Sequence, residues 1–189
     1  RVGVRGTADF RHAGGTHAVA GTLTVGENMG NTSPTGRYYL SATGTLTTDR
    51  TAVGTLGWGK FEQSGGTHQV ATALELGPAD PGLVPEAIGT YDLTGGVLAA
   101  PLVDLRGHEG FPGEFFLSGG ELQTACIRAG GTGRFVAETD WTVADLAVEL
   151  ADGGTMQHDG LLVMEDSAIT LRDGVWLGET LRLETGDGA

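Results

Sequence analysis

Residues 61–77 read F-E-Q-S-G-G-T-H-Q-V-A-T-A-L-E-L-G and residues 10–26 read F-R-H-A-G-G-T-H-A-V-A-G-T-L-T-V-G, one skeleton repeated at an offset of 51 residues. Both carry an aromatic residue, a Gly-Gly pair four positions on, a Thr-His step, and a run that closes apolar-x-apolar-Gly. Shorter copies follow Tyr39 (L-S-A-T-G-T-L), Tyr91 (D-L-T-G-G-V-L), Phe115 (F-L-S-G-G-E-L), Val148 (E-L-A-D-G-G-T-M) and Ile169 (T-L-R-D-G-V-W). Self-similarity on this scale marks a stack of like units, each too small to bury its apolar face alone.

Between the turns the apolar residues alternate, as in Leu23/Val25, Leu74/Leu76, Val103/Leu105, Leu161/Val163 and Leu181/Leu183. A period of two is the pattern of a half-buried strand. The turn landmarks near residues 14, 43, 65, 95, 119, 153 and 173 are 20 to 34 residues apart, with no helical pattern between them. Coils with loops of unequal length fit this spacing, and the strict six-residue period of a left-handed coil is absent. The expected fold is therefore all-β: a right-handed parallel β-helix of about seven coils, with residues 1–189 as one domain. An antiparallel sandwich or barrel also has short strands, but gives no reason for one skeleton to recur on strands in different places of a Greek key.

The repeat names its own core. Phe10, Phe61, Tyr91 and Phe115 should stack in one inward ladder. His17 and His68 fall where the other copies place Leu46, Leu98, Leu122, Met156 and Trp176, so they too should face inward, as hydrogen-bonded core histidines. Two coils apart is about 10 Å at about 4.8 Å per strand, too far to share one zinc ion.

Composition narrows the partners. There are 34 glycines and a formal net charge of −13, with 8 acids and 6 bases in residues 1–94 but 16 acids and 5 bases in 95–189. Such a surface repels phosphate backbones and anionic headgroups, which argues against nucleic acid. Cys126 is the single cysteine, so no internal disulfide forms. The longest apolar stretch, Val97 to Val103, contains Pro101 and is far short of the roughly 20 residues of a membrane-spanning helix. The chain opens on Arg1 without a signal-like leader, which reads as a segment of a longer polypeptide.

The strings Q-S-G-G-T-H (63–68) and Y-D-L-T-G-G-V-L (91–98), in tandem with strands ending Leu-Gly, resemble the glycine-rich β-helix repeats of secreted bacterial proteins. Those of autotransporter passenger domains and of large surface proteins with a PEP-CTERM sorting signal are similar. The resemblance covers roughly residues 8 to 125. It implies a stalk, adhesin or fibre unit at an extracellular or cell-surface location, partnered by further coils of a parent protein or by self-association through the solenoid ends.

The alternative is a carbohydrate-binding or polysaccharide-processing β-helix. Trp58, Phe111 and Trp141 are its candidate sugar contacts, and Asp104, Asp145 and Arg106 its nearest approach to a catalytic set. Sugar hydrolysis needs two carboxylates across one groove, and no paired acids with clustered arginines are evident, so no enzyme is expected. No cofactor is assigned. Calcium is the one cation an acidic surface could hold, near Asp80, Glu165 with Asp166, or Asp187, but none of these reproduces a calcium-binding loop. The strings G54-T-L-G-W-G-K and G130-G-T-G-R-F lack the spacing and following helix of a phosphate loop.

Overall fold

The computed structural model describes residues 1–4, 6–27, 35–78, 87–108 and 110–184. Its fifteen strands are β1 (Ala8–His12), β2 (Thr16–Glu27), β3 (Thr35–Leu40), β4 (Thr45–Leu56), β5 (Trp58–Leu76), β6 (Ile88–Ala99), β7 (Leu102–Arg106), β8 (Gly113–Gln123), β9 (Cys126–Gly130), β10 (Arg134–Ala137), β11 (Trp141–Ala144), β12 (Ala147–Ala151), β13 (Thr155–Glu165), β14 (Ala168–Arg172) and β15 (Val175–Glu184). All lie in one curled sheet, and every strand pairs in parallel with its neighbours. No helix occurs among the described residues.

The pairings sort into three faces. On the first, β1, β3, β5, β6, β8, β10, β13 and β15 contribute eight successive rungs. The second runs through Thr16–Val19, Thr45–Thr48, Thr67–Val70, 97–99 and 121–123. It resumes with β11, 162–165 and 181–184. The third stacks the later parts of β2, β4 and β5 on β7, β9, β12 and β14, and Val2 bridges onto Val25 at its start.

Glycine makes two of the corners because the stacked backbones leave no room for a side chain. Between the first and second faces Gly66 has φ +69, and a Cβ there would lie 2.2 Å from the Gly44 carbonyl oxygen. Between the third and first, Gly54 has φ +66, and its Cβ would lie 1.9 Å from the Ile88 oxygen.

The core is a column of rings. Along the first face Phe10, Tyr38, Phe61, Tyr91, Phe115 and Phe135 follow one another at centroid spacings of 5.0, 4.8, 4.6, 5.2 and 5.1 Å. The strand spacing of about 4.8 Å imposes that distance; from Tyr38 to Phe135 successive rings lie within 10° of parallel, whereas Phe10 is tilted by 31° on Tyr38. Met156 and Trp176 continue the column. Leu23, Leu74, Val103, Ile127 and Val148 face it from the third side.

Several expectations shift. Tyr38 and not Tyr39 enters the column; Tyr39 lies outside, under the Arg11 guanidinium at 5.0 Å. Phe135 is a rung the sequence reading passed over, and Val148 and Ile169 belong to the third face. Met156 and Trp176 lie in the aromatic column and not at the histidine position. Inward on the seventh rung of the second face are Leu162 and Met164, while Leu161 is exposed. The shifts past residue 126 have one cause: there the glycines at 131, 153 and 154 belong to the third-to-first corner, whereas the earlier Gly-Gly pairs make the first-to-second corner. Two different turns with the same composition put the later repeats out of phase.

Candidate interaction surface

Several outward charges of the first and third faces are held in ion pairs. On the first, Lys60 Nζ lies 2.7 Å from Glu62 and 2.8 Å from Asp92, and those bonds, Asp92 first, raise its pKa. On the third, Glu75, Asp104, Arg128 and Glu149 occupy successive rungs. Arg106 donates through Nε to Asp104 Oδ2 at 2.9 Å and Arg128 to Glu149 at 2.9 Å. The hydrogen bond to Asp104 is the main cause of the raised Arg106 pKa. Asp104 is thus a buried ion-pair partner, and Asp145 lies in the turn between β11 and β12 with φ +55.

The second face differs. Its outward columns read Thr16, Thr45, Thr67, Val97, Glu121 and Ala18, Thr47, Gln69, Ala99, Gln123, with a single charge. Small side chains here leave an open groove of about 900 Å³ along the corner with the third face, lined by Ala20, Thr47, Gln69, Ala99, Gln123 and Ala125 among others. A smaller depression of about 500 Å³ adjoins it between 120–124 and 141–144.

The histidines are built into the interior. His68 is fully buried and bridges two hydroxyls. Tyr91 OH donates to Gln63 Oε1 at 2.6 Å, so it accepts from His68 Nδ1–H at 3.0 Å. His68 Nε2 then accepts from Thr51 at 3.0 Å, and Thr51 from Thr48 at 2.9 Å. Gln63 Nε2 ends the chain on the Val97 carbonyl at 3.0 Å. Every polar atom is satisfied with His68 neutral, and burial lowers its pKa from 6.5 to about 3. Burial also drives Tyr91 well upward.

At the first rung, His12 Nε2 donates to the Gly15 carbonyl at 3.1 Å, so its Nδ1 accepts from Tyr38 OH at 3.1 Å. His17 Nδ1–H then donates to the same hydroxyl at 3.0 Å. His17 is half-buried, and burial, His12 and the chain's amino group, in that order, lower its pKa. His17 and His68 stand two rungs apart, with Leu46 between them. No group of three or more His, Cys, Asp or Glu suited to a metal ion occurs among the described residues. Asp80 and Asp187, two of the calcium candidates, lie outside those residues.

Within the predicted ladder, Phe61, Tyr91 and Phe115 are fully buried, whereas Phe10 caps the column and is 40% exposed. The candidate sugar contacts do not converge. Trp58 opens β5, and with Phe111, in the turn before β8, it lies at the third-to-first corner. Trp141 is on the second face, its ring 5.5 Å from Phe135. Sequence reasoning missed the Thr48–Thr51–His68–Tyr91–Gln63 chain, because its members come from different faces and repeats.

Fold and surface define a class, an all-β protein whose strands stack in parallel around an aromatic column. No protein-family model, curated protein or solved structure matches the chain. No described helix is long and apolar enough to cross a membrane.

Proposed function

We propose that the chain is a right-handed parallel β-helix of seven coils and a partial eighth, serving as a structural or interaction module of an extracellular bacterial protein: a stalk, adhesin or fibre unit. Parallel crossovers are right-handed in nearly all known cases, and the glycine-rich repeats resemble those of secreted surface proteins. The observation that carries the reading is where exposed apolar side chains fall. Of the eight large ones among the described residues, Phe10 lies on the first rung, and Leu171, Val175, Leu177, Leu181 and Leu183 lie on the last strands, with Leu183 63% exposed. The other two, Trp58 and Leu161, stand singly on the sides of the stack, where paired charges and small residues otherwise prevail. End rungs with open strand edges and apolar side chains are the joints of a solenoid, to be covered by further coils of the polypeptide or by another copy.

Sedimentation velocity across a concentration series tests this. The isolated chain is expected to associate reversibly, and Leu181→Glu with Leu183→Glu to abolish association without loss of the strand signal in circular dichroism. A chain that stays monomeric at every concentration would overturn the reading.

A further inference from the structure

The second face is interrupted in its middle. β8 pairs there only with β6, through Glu121–Gln123, and β11 pairs only with β13. No backbone bond joins the facing edges of β8 and β11, and their Cα atoms lie almost everywhere more than 8 Å apart. An ordinary ladder spaces strands about 4.8 Å apart, so edges more than 8 Å apart are not neighbours and approach the two spacings that an inserted strand requires. The other two faces are continuous at this level: Phe115 stacks on Phe135 at 5.1 Å, and β9 pairs with β12. Backbone bonds close the opening at both ends, from Glu138 N to the Leu117 oxygen at 2.8 Å and from Ala147 N to the Ala125 oxygen at 2.9 Å. What remains is a slot in the side of the stack, about 500 Å³ in volume.

Its floor is core. Leu122, Trp141 and Val143 line it, the last two only half-buried although they occupy the register of Leu162 and Met164, which are fully buried one rung on. Both walls are strand edges with unused backbone donors and acceptors, the condition under which an added strand pairs on each side. The rim carries one acid, Glu121, and no cation; the flanking residues 118–120, 138–140 and 145–146 add Glu138, Asp140 and Asp145 and no Lys or Arg, so charge near the slot is acidic.

We propose that this slot is a strand-insertion site for an extended peptide of another polypeptide, four to five residues long. Alternate apolar side chains of that strand face Leu122, Trp141 and Val143, and Lys or Arg side chains at the remaining positions meet the acidic rim. The proposal deepens the interaction-module reading and rests on it, yet it concerns the side of the stack and not its ends.

The test uses the whole chain and a labelled, end-capped peptide Lys-Val-Lys-Val-Lys, read by fluorescence anisotropy, with amide hydrogen exchange on 120–124 and 141–145. The slot-facing amides are expected to exchange rapidly in the free protein and at least tenfold more slowly with peptide. Val143→Lys, at a half-exposed position that tolerates a longer side chain, is expected to weaken binding at least tenfold. Lys-Val-Pro-Val-Lys, which lacks one backbone donor, and Glu-Val-Glu-Val-Glu, with the wrong charge, are expected to bind at least tenfold more weakly than the first peptide. Absence of binding at millimolar peptide, equal binding of the three peptides, or amides already protected in the free monomer would overturn the proposal. Protection that grows with protein concentration alone would also overturn it, by assigning the slot to a second copy. Either failure leaves the end association of the isolated chain to its own test.

Discussion

Replacing His68 by Leu should make the fold less sensitive to acid while leaving it almost unchanged near neutrality. His68 is fully buried, and its pKa is lowered from 6.5 to about 3. The depressed folded value means that the unfolded chain binds the proton first as pH falls. Stability contributed by the neutral ring is complete above pH 6.5 and drains away toward pH 3, at about 1.4 kcal/mol per pH unit. Between pH 7.5 and 4.5 that amounts to roughly 2–3 kcal/mol from this residue alone. Protonation would put a hydrogen on Nε2, so that Thr51 must turn from donor to acceptor and direct its own hydrogen to Thr48.

At pH 7.5 the substitution removes two hydrogen bonds, each worth a net 0.5–1.5 kcal/mol or so. Neither partner is orphaned, since Thr51 keeps Thr48 and Tyr91 keeps Gln63. Leucine fills the register of Leu46 and Leu98 and returns about 1–2 kcal/mol of apolar burial. The variant should therefore lie within about 1 kcal/mol of the parent at pH 7.5 and be more stable by roughly 2 kcal/mol at pH 4.5. Urea unfolding of both proteins at the two pH values measures this, and because every other titrating group is shared, only the difference of differences matters. An identical pH dependence in parent and variant, or a loss above about 3 kcal/mol at pH 7.5, would refute the assignment of His68 as a neutral link in the core.

Position along the ring column should grade the cost of truncation. Phe61→Ala, inside the stack, is expected to cost about 3–5 kcal/mol, and Phe10→Ala, 40% exposed at its end, about 1 kcal/mol; equal losses in urea titrations would contradict the stacked order. Glycine substitutions should separate strain from collision. Gly15 has φ +76 but open space around a built Cβ, so Gly15→Ala should cost only about 1–2 kcal/mol of left-handed strain. Gly54→Ala, with the Ile88 oxygen 1.9 Å away, should cost markedly more and lower the melting temperature further. Similar melting temperatures for the two variants would count against the close packing of the third-to-first corner.

Much of the architecture was written into the local pattern. The repeat of F-x-x-x-G-G-T-H, the alternation of apolar residues and the placement of glycine where the chain turns are properties of single segments. They specify strands, turns and inward positions before any strand meets another, which is why Phe61, Tyr91, Phe115 and His68 could be named as inward from spacing alone. What spacing could not resolve was phase. Two corners share one glycine chemistry, and the choice of Tyr38 over Tyr39, or of the aromatic column over the histidine position for Met156, depends on which rung each strand docks against.

The candidate surface depended still more on tertiary structure. The His68 chain joins side chains from three neighbouring segments, and the separation of Trp58 and Phe111 from Trp141 follows from how the faces fold around the core. The slot beside β11 has no counterpart in the local sequence, because Trp141–Ala144 alternates like any other strand. Sequence determines that a strand forms; whether its edge finds a neighbour is fixed by the lengths of the turns on either side, which set its height in the stack only when the whole sheet has closed around its core.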